Sequence, residues 1–245
     1  MSRVAVAVLG SALLLFPAVA DAQWYVAGYL GTNRTLAAPV TIEQPARNTS
    51  LTFSDVTFEA RPFKSPQYYG VRVGRLFGDR RRFGVEFEWL HPKAYADTSQ
   101  VVHITGRLAG VNVDTMARMD TVVQRYAMSH GMNFALVNAV VRVPLAETGN
   151  GFASRVAITA RAGAGPMVPH AENTVSGESR EQYEAGGIGY QVAGGLDVRL
   201  VGRLSAMADY KFGHGAPEVM IVDGTGRTTA NVHQLAFGLA LGFSR

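Results

Sequence analysis

Side chains alternate apolar and polar through eight segments of roughly ten residues each, and this period of two constrains the chain more than any other feature. The segments are 23–32, 67–77, 83–91, 131–143, 155–165, 188–200, 203–213 and 232–243. In the last, Leu235, Phe237, Leu239, Leu241 and Phe243 fall on one face, and Gln234, Ala236, Gly238, Ala240 and Gly242 on the other. Val85, Phe87 and Trp89 likewise oppose Gly84, Glu86 and Glu88. Successive side chains of a strand point to opposite faces of its sheet, so each segment reads as a strand with one apolar and one polar face. In the first segment Trp24, Val26 and Leu30 oppose Tyr25, Ala27 and Tyr29, and the phase stays open.

The polar face indicates which way these strands look. It carries Arg72, Arg142, Arg161, Arg199 and Lys211, nearly balanced by Glu86, Glu88, Asp197 and Asp209, with Gly70, Gly74, Gly163 and Gly195 between them. Paired charges and small residues suit the interior of an eight-stranded barrel, which has room for side chains but not for a channel. A soluble lipocalin-like barrel would invert the faces, placing a dense set of ion pairs outside and demanding a large apolar cavity. The expectation is therefore an all-β fold, an eight-stranded antiparallel up-and-down transmembrane barrel with an ion-paired lumen.

The connections follow the same logic. Short links at 78–82, 144–154 and 201–202 alternate with long ones at 33–66, 92–129, 166–187 and 214–231. With both termini periplasmic, every short turn is periplasmic and every long loop faces outward. Trp24, Phe77, Phe83 and Phe243 collect at the inner rim, and Tyr69, Trp89, Tyr190, Tyr210 and Phe212 at the outer rim, as interfacial aromatics do. Val101 to Leu108 alternates again, so strands three and four are expected to continue above the membrane as a hairpin.

Residues 1–22 read as a secretory signal peptide: Arg3, an apolar stretch, then Ala20-Asp21-Ala22 before Gln23. Residues 23–245 form one barrel domain in this reading. The absence of cysteine excludes a disulfide scaffold. A net charge of +4 without an aromatic-interleaved basic stripe argues against nucleic acid and for anionic lipid as the partner of the basic residues. Arg80-Arg81-Arg82 in the first short turn would touch inner-leaflet phosphates or simply solubilise that turn. Gly224-Thr225-Gly226 has no helix after it and is no phosphate cradle.

The opening Trp24-Tyr25-Val26-Ala27-Gly28 and the closing run from Leu235 to Phe243 resemble the eight-stranded outer-membrane barrels of the OmpA and opacity type. That resemblance implies a monomer among lipid and lipopolysaccharide, assembled by the barrel-assembly machinery through a last-strand signal here carried by Gly238, Leu241 and Phe243. The family usually ends on an aromatic residue, whereas Ser244 and Arg245 follow Phe243.

A narrower resemblance lies in Tyr68-Tyr69-Gly70-Val71-Arg72, Gly84-Val85-Glu86-Phe87 through His91-Pro92-Lys93-Ala94-Tyr95, Ser129-His130-Gly131-Met132-Asn133, Val168-Pro169-His170 and Gly189-Tyr190-Gln191. These are similar to the lipid A oxidase-type barrels of rhizobia, which implies oxygen-dependent oxidation of the proximal glucosamine of lipid A.

His91, His130 and His170 all fall near the outer rim, and with Glu88 they are the candidate catalytic residues. The three imidazoles are also the candidate ligands of a divalent or redox-active metal. By strand parity His91 points outward unless the chain bends at Pro92. Ser129 and His130 are adjacent and should point to opposite faces, and Ser205 lies on the lumen face, so a serine hydrolase is disfavoured. Glu86 and Glu88 form an acid/base pair or, with Arg72 on the neighbouring strand, an ion-pair ladder.

Overall fold

The computed structural model describes residues 23–149 and 151–244, so the expected signal peptide at 1–22 lies outside the described residues. Each of the eight alternating segments is a strand: β1 (Gln23–Thr35), β2 (Tyr69–Phe77), β3 (Phe83–Leu90), β4 (Phe134–Pro144), β5 (Val156–Pro166), β6 (Ile188–Val201), β7 (Leu204–Gly215) and β8 (Ala230–Ser244). Every strand pairs antiparallel with its chain neighbours, and β1 pairs with β8 from Gln23↔Ser244 to Thr35↔Val232, closing the barrel. Closure leaves no sheet edge, the condition for crossing a bilayer with strands.

Alternation sets the two surfaces. Val26, Val73, Phe87, Val141, Ile158, Val192, Leu196, Phe237 and Leu239 stand exposed on the outer wall. A continuous apolar exterior of this kind is stable only when lipid covers it. Arg72, Glu86, Glu88, Asn138, Arg161, Gln191, Asp209 and Lys211 are buried within. The open phase of β1 is settled with Tyr25, Ala27 and Tyr29 inward and Trp24, Val26 and Leu30 outward. Tyr25 lies opposite Gly74 and Tyr29 opposite Gly70 on β2. A Cβ at Gly70 would sit 2.0 Å from the Tyr29 ring and one at Gly74 2.4 Å from that of Tyr25, so these glycines are notches that admit the two phenols.

The long connections are not loops in the ordinary sense. They fold into an outer layer of two sheets above the barrel. A six-stranded sheet runs in the order Glu218–Ile221, Gly224–Thr228, Ala38–Gln44, Thr49–Val56, Val101–Leu108, Val111–Arg118. A five-stranded sheet runs Glu178–Tyr183, His170–Val175, Val123–Met128, Ala94–Ala96, Phe58–Glu59. Val40, Ile42, Phe53, Ile104, Tyr126, Met128, Val175 and Ile221 from the two sheets share one buried cluster, which continues down to Tyr29, Tyr68, Phe134 and Leu136 at the top of the lumen. The hairpin expected at Val101–Leu108 therefore needs correcting. This strand turns back through Ala109-Gly110 to pair with Val111–Arg118, and its other edge bonds to Thr49–Val56 rather than extending β3 and β4. Its buried face, Val102 and Ile104, seeks the apolar cluster, which alternation alone could not locate.

Candidate functional site

The lumen holds a charge network of three cations and three carboxylates: Arg72, Arg161 and Lys211 against Glu86, Glu88 and Asp209. Glu88 on β3 is its hub. Its Oε1 accepts from Tyr29 Oη at 2.5 Å, from Arg72 Nε at 2.7 Å and from Lys211 Nζ, and its Oε2 accepts from Asn138 Nδ2 at 2.9 Å and Gln191 Nε2 at 2.6 Å. Arg72 Nη1 and Arg161 Nη1 reach the two oxygens of Asp209 at 2.7 and 3.0 Å, and Arg161 Nε reaches Glu86 at 3.3 Å. The six charges cancel, which is how a low-dielectric interior tolerates them.

Three members expected in this network behave differently. Arg142 and Asp197 form a looser, half-buried pair at 3.6 Å, lining a cavity that opens at the short-turn end. Arg199 lies outside the network and is a correction: it is exposed where the β6–β7 register slips, with no ion pair among the described residues. At that irregularity the strict alternation that pointed it inward ends. Gly238, Leu241 and Phe243 lie on β8 opposite Tyr29, Val26 and Trp24, with the leucine and phenylalanine on the outer wall.

The second constellation sits at the base of the five-stranded sheet, just above the rim of β4 and β5. His170 and Glu172 are two apart on one strand and so share a face, and Glu172 is directly opposite Glu181 in the hairpin. The hairpin turns on Ser176-Gly177, both at positive φ (51° and 81°), the backbone of a two-residue turn matched to strand twist. His130 arrives from the turn after Val123–Met128, its Nδ1 3.2 Å from His170 Nδ1 and 3.7 Å from Glu172 Oε1. His170 Nε2 lies 3.5 Å from Glu181 Oε1, and the Tyr183 ring meets the His170 ring edge-on at 4.4 Å. One ligand atom from each of His130, His170, Glu172 and Glu181 lies within 4.8 Å of every other, so these four side chains could hold a metal ion. Arg125 pairs with Glu172 Oε2, and Ser129 Oγ donates to Glu172 Oε1 at 2.5 Å. Burial and the neighbouring His130 charge pull the His170 imidazole below its ordinary value.

Of the candidate catalytic and metal-binding residues, then, His130 and His170 come together, while His91 and Glu88 do not join them. His91 is buried elsewhere, stacked on Tyr69 at 4.9 Å with Nδ1 2.7 Å from Asn133 Oδ1. β3 ends at Leu90, and the His91 amide donates to Tyr69 O, so His91 keeps the side of the outward-facing Tyr69 ring it stacks on and is buried there beneath the layer above rather than turned into the lumen. Glu88 points into the lumen and is engaged by the network. Ser129 and His130 also depart from expectation: they sit in a turn, not a strand, and Ser129 Oγ lies 3.2 Å from His130 Nδ1. The Glu172–Glu181 pair was missed, although the alternation of His170, Glu172 and Thr174 against Ala171, Asn173 and Val175 was a readable strand signal.

No protein-family model matches the sequence, and no curated protein matches it. Among solved structures, the Neisserial surface protein NspA is similar at 8% identity with a TM-score of 0.41, covering 93% of this chain and 100% of that one. OprG from Pseudomonas aeruginosa is similar at 10% identity and a TM-score of 0.42, covering 93% and 97%. The outer-membrane protein AlkL, solved in lipid bilayers, is similar at 10% identity and 0.44, covering 94% of each. At such identities the likeness is one of strand architecture. By its own strand order, closed seam and apolar wall, the chain is an eight-stranded antiparallel transmembrane β-barrel.

Proposed function

We propose that this chain is a monomeric outer-membrane barrel of the Gram-negative envelope that acts at the lipopolysaccharide layer in a structural or binding role. Its short turns and termini face the periplasm, and its two-sheet layer faces outward. The neutral, filled lumen supports a barrel closed to solutes rather than a pore. The observation that carries the lipopolysaccharide reading is a cationic group at the outer rim. Arg61, Lys64 and Lys93 surround the Tyr95 ring at 4.5, 5.9 and 6.0 Å. Glu59 pairs with Arg61 at 2.6 Å, and neither lysine has a carboxylate partner among the described residues. Lys93 is wholly buried, its Nζ bonded to Lys64 O at 2.5 Å. The exposed Lys64, with Arg61 beside it and the buried Lys93 charge beneath, fits a phosphate of lipid A at this height. The test is thermal unfolding of the refolded barrel with lipid A and with its dephosphorylated form. Phosphate-dependent stabilisation that Lys64→Gln diminishes is expected, and equal stabilisation by both lipids would overturn the reading.

A second reading, a lipid A-modifying enzyme of the oxidase type, is supported by one observation: two imidazoles and two carboxylates converge close to that rim. Mass spectrometry of lipid A from a Gram-negative host expressing the chain tests it. A species carrying added oxygen that disappears with His170→Ala is expected, and an unchanged spectrum with the protein in the outer membrane would exclude it.

A further inference from the structure

We infer that His130, His170 and Glu172, with Glu181 as a fourth ligand, form a binding site for one divalent first-row transition metal in the outer layer. The site deepens the second reading above without resting on it, since a non-catalytic barrel would bind the metal equally well.

Three features of the arrangement carry the inference. The first is spacing. Ligands about 2.0–2.1 Å from a tetrahedral ion stand about 3.3 Å apart. His130 Nδ1 stands 3.2 Å from His170 Nδ1 and 3.7 Å from Glu172 Oε1, and one ligand atom from each of the four side chains lies within 4.8 Å of every other. The second is the donor set. Two imidazoles and a carboxylate are the ligands chosen by zinc, cobalt or ferrous iron, whereas calcium and magnesium take oxygen. With Glu181 on the exposed edge strand, the fourth position is the one that can open to an incoming molecule.

The third is support around the ligands. His170, Glu172 and Glu181 come from one hairpin whose register places the two carboxylates opposite each other. Arg125 and Ser129 hold Glu172, and Tyr183 packs on the His170 ring, so outer contacts orient the ligands as they do in built metal sites.

The experiment is a titration of the refolded, metal-free barrel with Co(II), read by visible d–d absorption, followed by displacement with Zn(II). One saturable equivalent per chain is expected, with no displacement by an equal concentration of Ca(II) or Mg(II). His170→Ala should weaken binding by at least the roughly 10–100-fold that losing an outer contact costs. Glu181→Gln should weaken it by a smaller factor, and it keeps the test decisive if the histidine variant fails to fold, because this carboxylate is exposed and its ion pair among the described residues is with His170 alone. His214→Ala, outside the cluster, should leave binding unchanged. Binding no tighter than that of a His130→Ala, His170→Ala double variant, or ready displacement by Ca(II), would overturn the assignment. Lipid A chemistry is read separately by mass spectrometry, so loss of that activity with Co(II) binding intact would strike the enzyme reading alone.

Discussion

Replacing Glu88 by Gln preserves its shape and removes its charge, and the lumen should register both changes. The carboxylate receives five donors, three on Oε1 and two on Oε2. An amide offers one oxygen and turns its NH2 toward either Asn138 and Gln191 or toward Tyr29, Arg72 and Lys211, so at least two hydrogen bonds are lost whichever way it flips. At about 1.5–3 kcal/mol for each bond to a charged group, the loss is about 3–6 kcal/mol. Breaking one partner of a buried ion pair independently suggests about 3–5 kcal/mol, because a positive charge is left without compensation. Urea unfolding of the barrel in lipid vesicles, followed by tryptophan fluorescence, measures this. Lys211→Met should restore charge balance, so the double variant should be more stable than the sum of the two single losses by a kilocalorie or more, on the order of the coupling seen between contacting residues. A single-variant loss below about 1 kcal/mol, or strict additivity, would refute the view that charge neutrality governs the lumen.

Val73→Arg, midway along β2 on the outer wall, should cost about 2–4 kcal/mol in the same assay, and a negligible cost would remove lipid from that face. Gly70→Ala fills the notch that holds Tyr29 and should cost about 1–3 kcal/mol by overpacking, with Gly28→Ala, whose Cβ meets nothing within 4 Å, as the tolerated control. Burial lowers the His91 imidazole, and its Nε2 lies buried without a hydrogen-bond partner. The unfolded chain therefore binds a proton more readily than the folded one. The resulting stability is present above the ordinary value of about 6.5 and is lost as pH falls through the lowered folded value. Hydrogen exchange at the Met132 amide, bonded to Pro92 O, should accelerate over that window beyond its intrinsic rate, and His91→Gln should flatten the dependence.

The barrel was legible because membrane-spanning strands obey a strict period over a fixed length. Glu86, Glu88, Asp209 and Lys211 follow from parity alone, and the phase of β1 yields once Gly70 and Gly74 are seen to face Tyr29 and Tyr25. Parity fails where a strand slips, which is why Arg199 leaves the lumen face, whereas His91 keeps its parity beside Tyr69 and is merely covered from above. The outer layer was hidden for a different reason. Its strands are short, and their partners come from distant connections, as when Val40 pairs with Phe53 but also with Thr228. Half of the metal cluster was visible as rim histidines. Glu172 and Glu181 were not, because their hairpin is short and is completed by Val123–Met128 from a different connection.

The six-stranded sheet joins segments from the first, second and last long connections, and its Gly224–Thr228 strand pairs with Ala38–Gln44 across nearly the whole chain. The same two connections flank the β1–β8 seam, so the sheet acts as a clasp fastened over the place where the barrel closes. Surface loops of such a barrel are therefore not exchangeable cassettes: excising one would unfasten strands belonging to two others and loosen the seam beneath them. Even the two-residue tips are fastened: the amides of Gly110 and Ala109 donate to Asn48 O and Thr49 Oγ1, and those of Ser176 and Gly177 to Val122 O and Gln124 Oε1, so an epitope inserted at either tip would pull on a neighbouring connection as well.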